Sequence, residues 1–103
     1  MKKYRVVITD NAKAQLKDYI SYILREFKNR QAAMAVRDDA AATKKRLEEV
    51  AGSLEPLKNP KLNGYRKIHF LKHAYIMIYR IEENTVYVDR IYHELQDYEG
   101  KFE

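Results

Sequence analysis

Apolar residues recur at three- and four-residue steps twice in succession, and then the helical period stops. Leu16, Tyr19, Ile20, Ile23, Leu24 and Phe27 form the first stripe; Val36, Ala40, Thr43, Leu47, Val50 and Leu54 form the second. Each is the apolar face of an amphipathic helix. The short break at Asn29-Arg30 leaves two helices, near 10–28 and 31–52, no geometry but an antiparallel hairpin. Thr9-Asp10-Asn11 offers side-chain oxygens to the free amides at the first helix start, and Gly52 is the expected C-cap of the second. The second helix is rich in alanine (Ala32, Ala33, Ala35, Ala40, Ala41, Ala42), which favours close packing of the hairpin. Its Arg37, Lys44, Lys45 and Arg46 read as a solvated face.

Strand-like sequence flanks the hairpin. Tyr4-Arg5-Val6-Val7-Ile8 precedes it, short and β-branched. Residues 53–64 follow it with both prolines, Pro56 and Pro60, and form the one long loop. Then come Tyr65 to Phe70, Ala74 to Ile81 and Thr85 to His93, with separators short enough for hairpins. These three runs predict an antiparallel meander, with Tyr4–Ile8 at an edge or beside the last strand. The fold class is α+β, and 103 residues make one domain, 1–103. On the middle strand, Tyr75, Met77, Tyr79 and Ile81 oppose Ala74, Ile76, Ile78 and Arg80. Both faces are apolar enough to be buried; the hairpin covers one, and the other calls for the C-terminal tail, a partner or an oligomer.

Composition removes several functions. No cysteine is present, so disulfides, thiol catalysis and Cys-ligated zinc are excluded. Gly52, Gly64 and Gly100 are isolated and make no phosphate loop, and no His pair has metal-ligand spacing on one element. No cofactor or metal is implied. The longest apolar run, Ala74 to Tyr79, cannot span a membrane, and a cytoplasmic chain is expected. The net charge is +5 and unevenly spread. Lys58, Lys61, Arg66, Lys67, Lys72 and Arg80 fall between Pro56 and Ile81 with no acidic residue among them, whereas the stretch from Glu82 onward is acidic. Such a window suits a polyanion, whether nucleic acid or an acidic protein segment.

Within it lies a basic and aromatic cluster. Lys67 and His69 share a strand face with Tyr65, while Arg66 points to the other. Metal-free RNA cleavage needs a proton carrier, a cation at the scissile phosphate and an acid for the leaving oxygen. His93 or His69 could move the proton; Arg66, Lys67 and Arg80 could hold phosphate, with Lys61 in the loop ahead of them. Tyr92 or Tyr98 could stack a base.

The order of these elements resembles the RelE/ParE superfamily of bacterial type II toxin-antitoxin toxins. The carriers are Tyr4-Arg5-Val6-Val7-Ile8-Thr9, Gly64-Tyr65-Arg66-Lys67-Ile68, Tyr75-Ile76-Met77-Ile78-Tyr79-Arg80-Ile81 and Val88-Asp89-Arg90-Ile91-Tyr92-His93, with Asp97-Tyr98 behind. The resemblance implies a helical hairpin on a twisted antiparallel sheet and a heteromeric complex with an acidic antitoxin encoded alongside. It also implies one of two activities: ribosome-dependent, metal-independent cleavage of mRNA, or poisoning of DNA gyrase. The first is the expectation here. His93 matches the histidine that several cleaving members place at the end of the last strand, and Arg80 and Lys67 join it as the expected catalytic cations. Ile76 and Glu94-Leu95 occupy the places where the best-known member carries arginines, so that arginine pair is absent.

Overall fold

The computed structural model describes residues 3–58 and 60–95. The expected roles of Tyr98 and of the C-terminal tail lie outside these residues. The element order is β1 (Arg5–Ile8), α1 (Asp10–Phe27), α2 (Arg30–Val50), β2 (Tyr65–His69), β3 (Tyr75–Glu82) and β4 (Thr85–His93). It is the α+β arrangement expected, with the helical hairpin on one face of a four-stranded sheet ordered β1-β4-β3-β2.

Local chemistry sets the helix ends. The Thr9 hydroxyl accepts from the Ala12 amide at 3.3 Å, and the Asn29 side chain accepts from the Ala32 amide at 3.0 Å. Each satisfies one of the amides that a helix start leaves unpaired. Lys28 closes α1 in the left-handed region at φ 50°. Gly52 does not cap α2 as expected. The chain runs past Val50 through a right-handed Ala51 into a 3-10 turn over Ala51–Ser53. A Cβ on Gly52 would overlap the Tyr4 hydroxyl, so a larger residue there would require that side chain to shift.

The meander is antiparallel throughout, and β1 lies at the edge, parallel to β4, with Arg5 opposite Thr85 and Ile8 opposite Val88. The main core lies under the hairpin, where Val36, Ala40 and Leu47 of α2 meet Ile68, Met77, Tyr79, Val86, Val88 and Ile91 of the sheet. The far face of the sheet carries a second, smaller cluster. Ile76, Ile78 and Tyr92 are buried there, with Leu57 from the long loop and Tyr65 packed against them. The loop also bridges the outer edge of β2, where Pro56 pairs with Arg66 and the Leu57 amide donates to the Tyr65 carbonyl at 2.8 Å. Part of the covering that the sequence left open is therefore supplied by Leu57 of the loop. No helix is long and apolar enough to cross a membrane among the described residues.

One irregularity decides where side chains point. Ile78 faces Arg90 but Tyr79 faces Val88, so Asp89 is an extra residue, a β-bulge in β4. Strand side chains alternate faces with period two, and one inserted residue reverses the alternation beyond it. Val86 and Val88 face the hairpin before the bulge; Ile91 and His93 do so after it, and Tyr92 turns to the far face.

Candidate functional site

The sheet separates the residues expected to work together. Lys67, His69, Arg80 and Tyr92 are on the far face of the sheet, while Arg66 and His93 are on the hairpin face. Lys61 is exposed in the 3-10 turn Pro60–Leu62.

Each far-face group already has an occupation. Arg80 donates from Nε to Asp89 Oδ2 at 2.9 Å, pairs also with Glu82, and lies 4.5 Å from the centre of the Tyr87 ring. The same Asp89 oxygen accepts from the Tyr65 hydroxyl at 3.2 Å. Burial, reinforced by the Asp89 charge, pushes the Tyr65 hydroxyl above its ordinary pKa. His69 Nδ1 sits 2.6 Å from Glu94. Tyr92 is only 5 % exposed and packs in the second cluster, so its ring is not offered to a base. Ile76, at a place where the best-known relative carries arginine, is buried in the same cluster.

The hairpin-face residues also have contacts of their own. Arg66 donates to the carbonyls of Leu54, at 2.5 Å, and Gly52, at 3.2 Å, bracing the turn that leaves α2. His93 stands edge-on to Tyr75 with ring centres 5.2 Å apart, its amide donates to the Tyr19 hydroxyl, and its Nδ1 accepts from the Leu95 amide at 3.2 Å. Burial raises the pKa of both Tyr19 and Tyr75. His93 also opens, with His73, on a recess of about 460 Å³ walled by Ile23, Phe27, Val36 and Tyr75. That recess is apolar and holds none of the expected phosphate-binding cations.

Sequence reasoning missed two carboxylates. Asp39 of α2 is buried and accepts from the Leu71 and Lys72 amides at 3.0 and 2.9 Å and from His73 Nδ1 at 2.6 Å. A signal was present: Asp39 falls within the buried stripe of Val36, Ala40, Thr43 and Leu47, where an unpartnered carboxylate would not be tolerated. Asp89 left no such signal, because a bulge is invisible in composition. Together Asp39, Asp89, Glu82 and Glu94 bring acid into the stretch that looked unopposed along the chain. Among the described residues, no group of three or more His, Asp or Glu side chains could hold a metal ion.

The Arg80–Asp89 pair makes a measurable claim. Arg80→Ala leaves the largely buried Asp89 carboxylate without its cation and should cost about 1–3 kcal/mol in urea unfolding. Arg80→Ala/Asp89→Ala should recover part of that loss. A double-variant loss equal to the sum of the Arg80→Ala and Asp89→Ala losses would mean that the pair carries no coupling.

The fold is a small α+β domain with this network on the far face of its sheet. The family model described as "ParE toxin of type II toxin-antitoxin system, parDE" matches residues 6–98. This chain belongs to that ParE toxin family, within the RelE/ParE superfamily. Among solved structures it is similar to a chain of the chromosomal ParDE toxin-antitoxin system from P. aeruginosa, with a TM-score of 0.74 and 18 % identity over 88 % of this chain and 96 % of that one. It is also similar to a chain of the RelBE2 toxin-antitoxin complex from Mycobacterium tuberculosis, with a TM-score of 0.60 and 22 % identity over 88 % of this chain and 98 % of that one. No curated protein sequence matches the chain.

Proposed function

We propose that this toxin acts by binding, as a ParE-like poison of DNA gyrase, rather than by cutting ribosome-bound mRNA. The observation that carries the reading is the separation of His93 from Lys67 and Arg80 by the thickness of the sheet. Acid–base catalysis of RNA cleavage needs the proton carrier and the phosphate-binding cation within hydrogen-bond reach of one scissile group. Arg80, engaged by two carboxylates and the Tyr87 ring, would also have to break those pairs to meet a phosphate. A toxin that works by binding alone needs neither. The ParE family match and the likeness to a ParDE structure support the same reading.

Two known structures of this fold are described as toxin-antitoxin systems. This chain is accordingly proposed to be held inactive by an acidic antitoxin encoded beside it. With a net charge of +5 the chain attracts such a partner at long range.

The test runs wild type and His93→Ala in parallel. Purified toxin should inhibit gyrase supercoiling and accumulate broken DNA with both proteins to the same extent, while ribosome-bound mRNA stays intact. Cleaved mRNA that disappears with His93→Ala would return the activity to the endonuclease reading.

A further inference from the structure

Carboxylate partners are unevenly shared among the cations of this chain. In the sheet and its connections, His69, His73 and Arg80 each have one. On the helical hairpin, Lys13, Lys17, Arg30 and Lys44 are exposed and form no ion pair among the described residues. Arg37 has only Asp38, 3.4 Å away, in a pair exposed on both sides. A surface pair of that kind contributes little and gives way readily. The folded chain thus carries unopposed positive charge on a face whose cations read, along the sequence, only as solvated.

These cations share one surface. Lys13, Arg37 and Lys44 stand around a single opening between the helices. Lys17 is one turn beyond Lys13 on α1, and Arg30 is two turns before Arg37 on α2, so each keeps to the face of its neighbour. Arg30, Arg37 and Lys44 make a row along α2. Two steps of seven residues advance a helix by about 21 Å, which is the length of that row. Lys13 and Lys17 make a shorter row beside it. Like charges four residues apart destabilise a helix, and an anion laid across them removes that cost.

We propose that this hairpin face holds duplex DNA by its phosphates, without reading its sequence. The inference rests on the gyrase reading above and deepens it: the toxin grips the DNA on which its target works as well as the target itself. The dimensions fit. Duplex DNA carries one negative charge per about 1.7 Å of its axis, so about 21 Å of it presents about a dozen phosphates. It presents them at every register along the row, which an acidic peptide of mixed sequence does not. Lysine and arginine heads on long stems suit phosphate oxygens, which position a protein on a duplex and carry no base identity. No aromatic side chain lines the opening between Lys13, Arg37 and Lys44, so there is no platform on which unpaired bases would stack.

The test follows the fluorescence anisotropy of a labelled duplex of about 20 base pairs with the intact toxin across a salt series. Each phosphate contact contributes about −0.9 to the slope of log K against log salt, so the five cations predict about −4.5. Lys13→Gln/Lys17→Gln/Lys44→Gln should reduce that slope by about 2.7 and weaken binding alike for duplexes of different sequence. Its melting temperature should stay at or above the wild-type value, because like charges are removed. Lys45→Gln/Arg46→Gln/Lys72→Gln takes the same charge from exposed positions outside the two rows and should keep the wild-type slope. In a gyrase supercoiling assay, only the first variant should need severalfold more protein for the same inhibition.

Equal weakening by the two variants would overturn the proposal, since net charge alone would then explain binding. So would tighter binding of an RNA duplex, a single strand or polyglutamate than of duplex DNA. The two readings fail separately. Gyrase inhibition without duplex binding in wild type removes this surface and leaves the target, whereas duplex binding without gyrase inhibition leaves the surface and removes the target.

Discussion

Asp39→Ala should lower folding stability by about 3–5 kcal/mol, read as a fall in the urea midpoint at an unchanged slope. A domain of this size has about 5–15 kcal/mol in total, so the variant would stand close to unfolding. The size of the effect follows from what the carboxylate holds. Two backbone amides, those of Leu71 and Lys72, and the His73 ring all donate to it, and α2 is thereby tied to the connection between β2 and β3. Removing the acceptor strands three donors at a partly buried site, and each stranded group costs about 1–3 kcal/mol. Burial by itself would raise the Asp39 pKa, but the bonds from His73, Lys72 and Leu71 outweigh it and the carboxyl titrates below its ordinary value. Its contribution is therefore complete above the ordinary carboxylate range and disappears as pH falls through the lowered value. The stability difference between wild type and Asp39→Asn should accordingly shrink below about pH 4. A loss under about 1 kcal/mol for Asp39→Ala would mean that the connection is not held by this clamp.

Tyr79→Ala should cost a similar amount, about 3–5 kcal/mol, because it empties the centre of the main core. Tyr79 is fully buried, and its hydroxyl donates to the Ala51 carbonyl at 2.9 Å. Tyr79→Phe separates the two contributions. It keeps the ring, leaves the Ala51 carbonyl without that donor, and should cost only about 1–2 kcal/mol. Burial pushes the Tyr79 hydroxyl up to about 12, only partly offset by the nearby Arg66 charge. A raised value means stability that is complete below the ordinary tyrosine range and is lost as pH climbs through it toward 12. Tyr79→Phe should remove that share of the alkaline loss. Equal costs for the Phe and Ala variants would assign the whole effect to the hydrogen bond and none to packing.

These two residues also show where sequence reading stops. Tyr79 was legible as one of four alternating residues on a buried strand face, since period two needs no tertiary knowledge. Its bond to Ala51 was not, because the partner lies across the long loop and is a backbone atom that every residue carries. The chemistry of the candidate site was harder to read than the fold. Each of its members was visible as a residue type, yet their association depended on parity through an entire strand.

By itself the sequence determined the two amphipathic helices, the cap chemistry at the first helix start, the three-strand meander and the family resemblance. The helices, cap and meander rest on spacing and local propensity, which neighbours along the chain carry, and the family on the resemblance of the motifs in their order. Only the tertiary structure decided the parallel pairing of β1 with β4, the extra residue at Asp89 and the company that each charge keeps. The basic stretch from Pro56 to Ile81 contains no acid in sequence, yet in space Asp39, Glu82, Asp89 and Glu94 pair with its His73, Arg80 and His69. Charges interact through distance in space, and folding brings helix α2 and strand β4 within about 3 Å of a stretch they are remote from along the chain. The face that His93 occupies has the same kind of cause: one bulged residue reverses every side chain beyond it, and nothing in the local composition of Thr85 to His93 announces where the reversal falls.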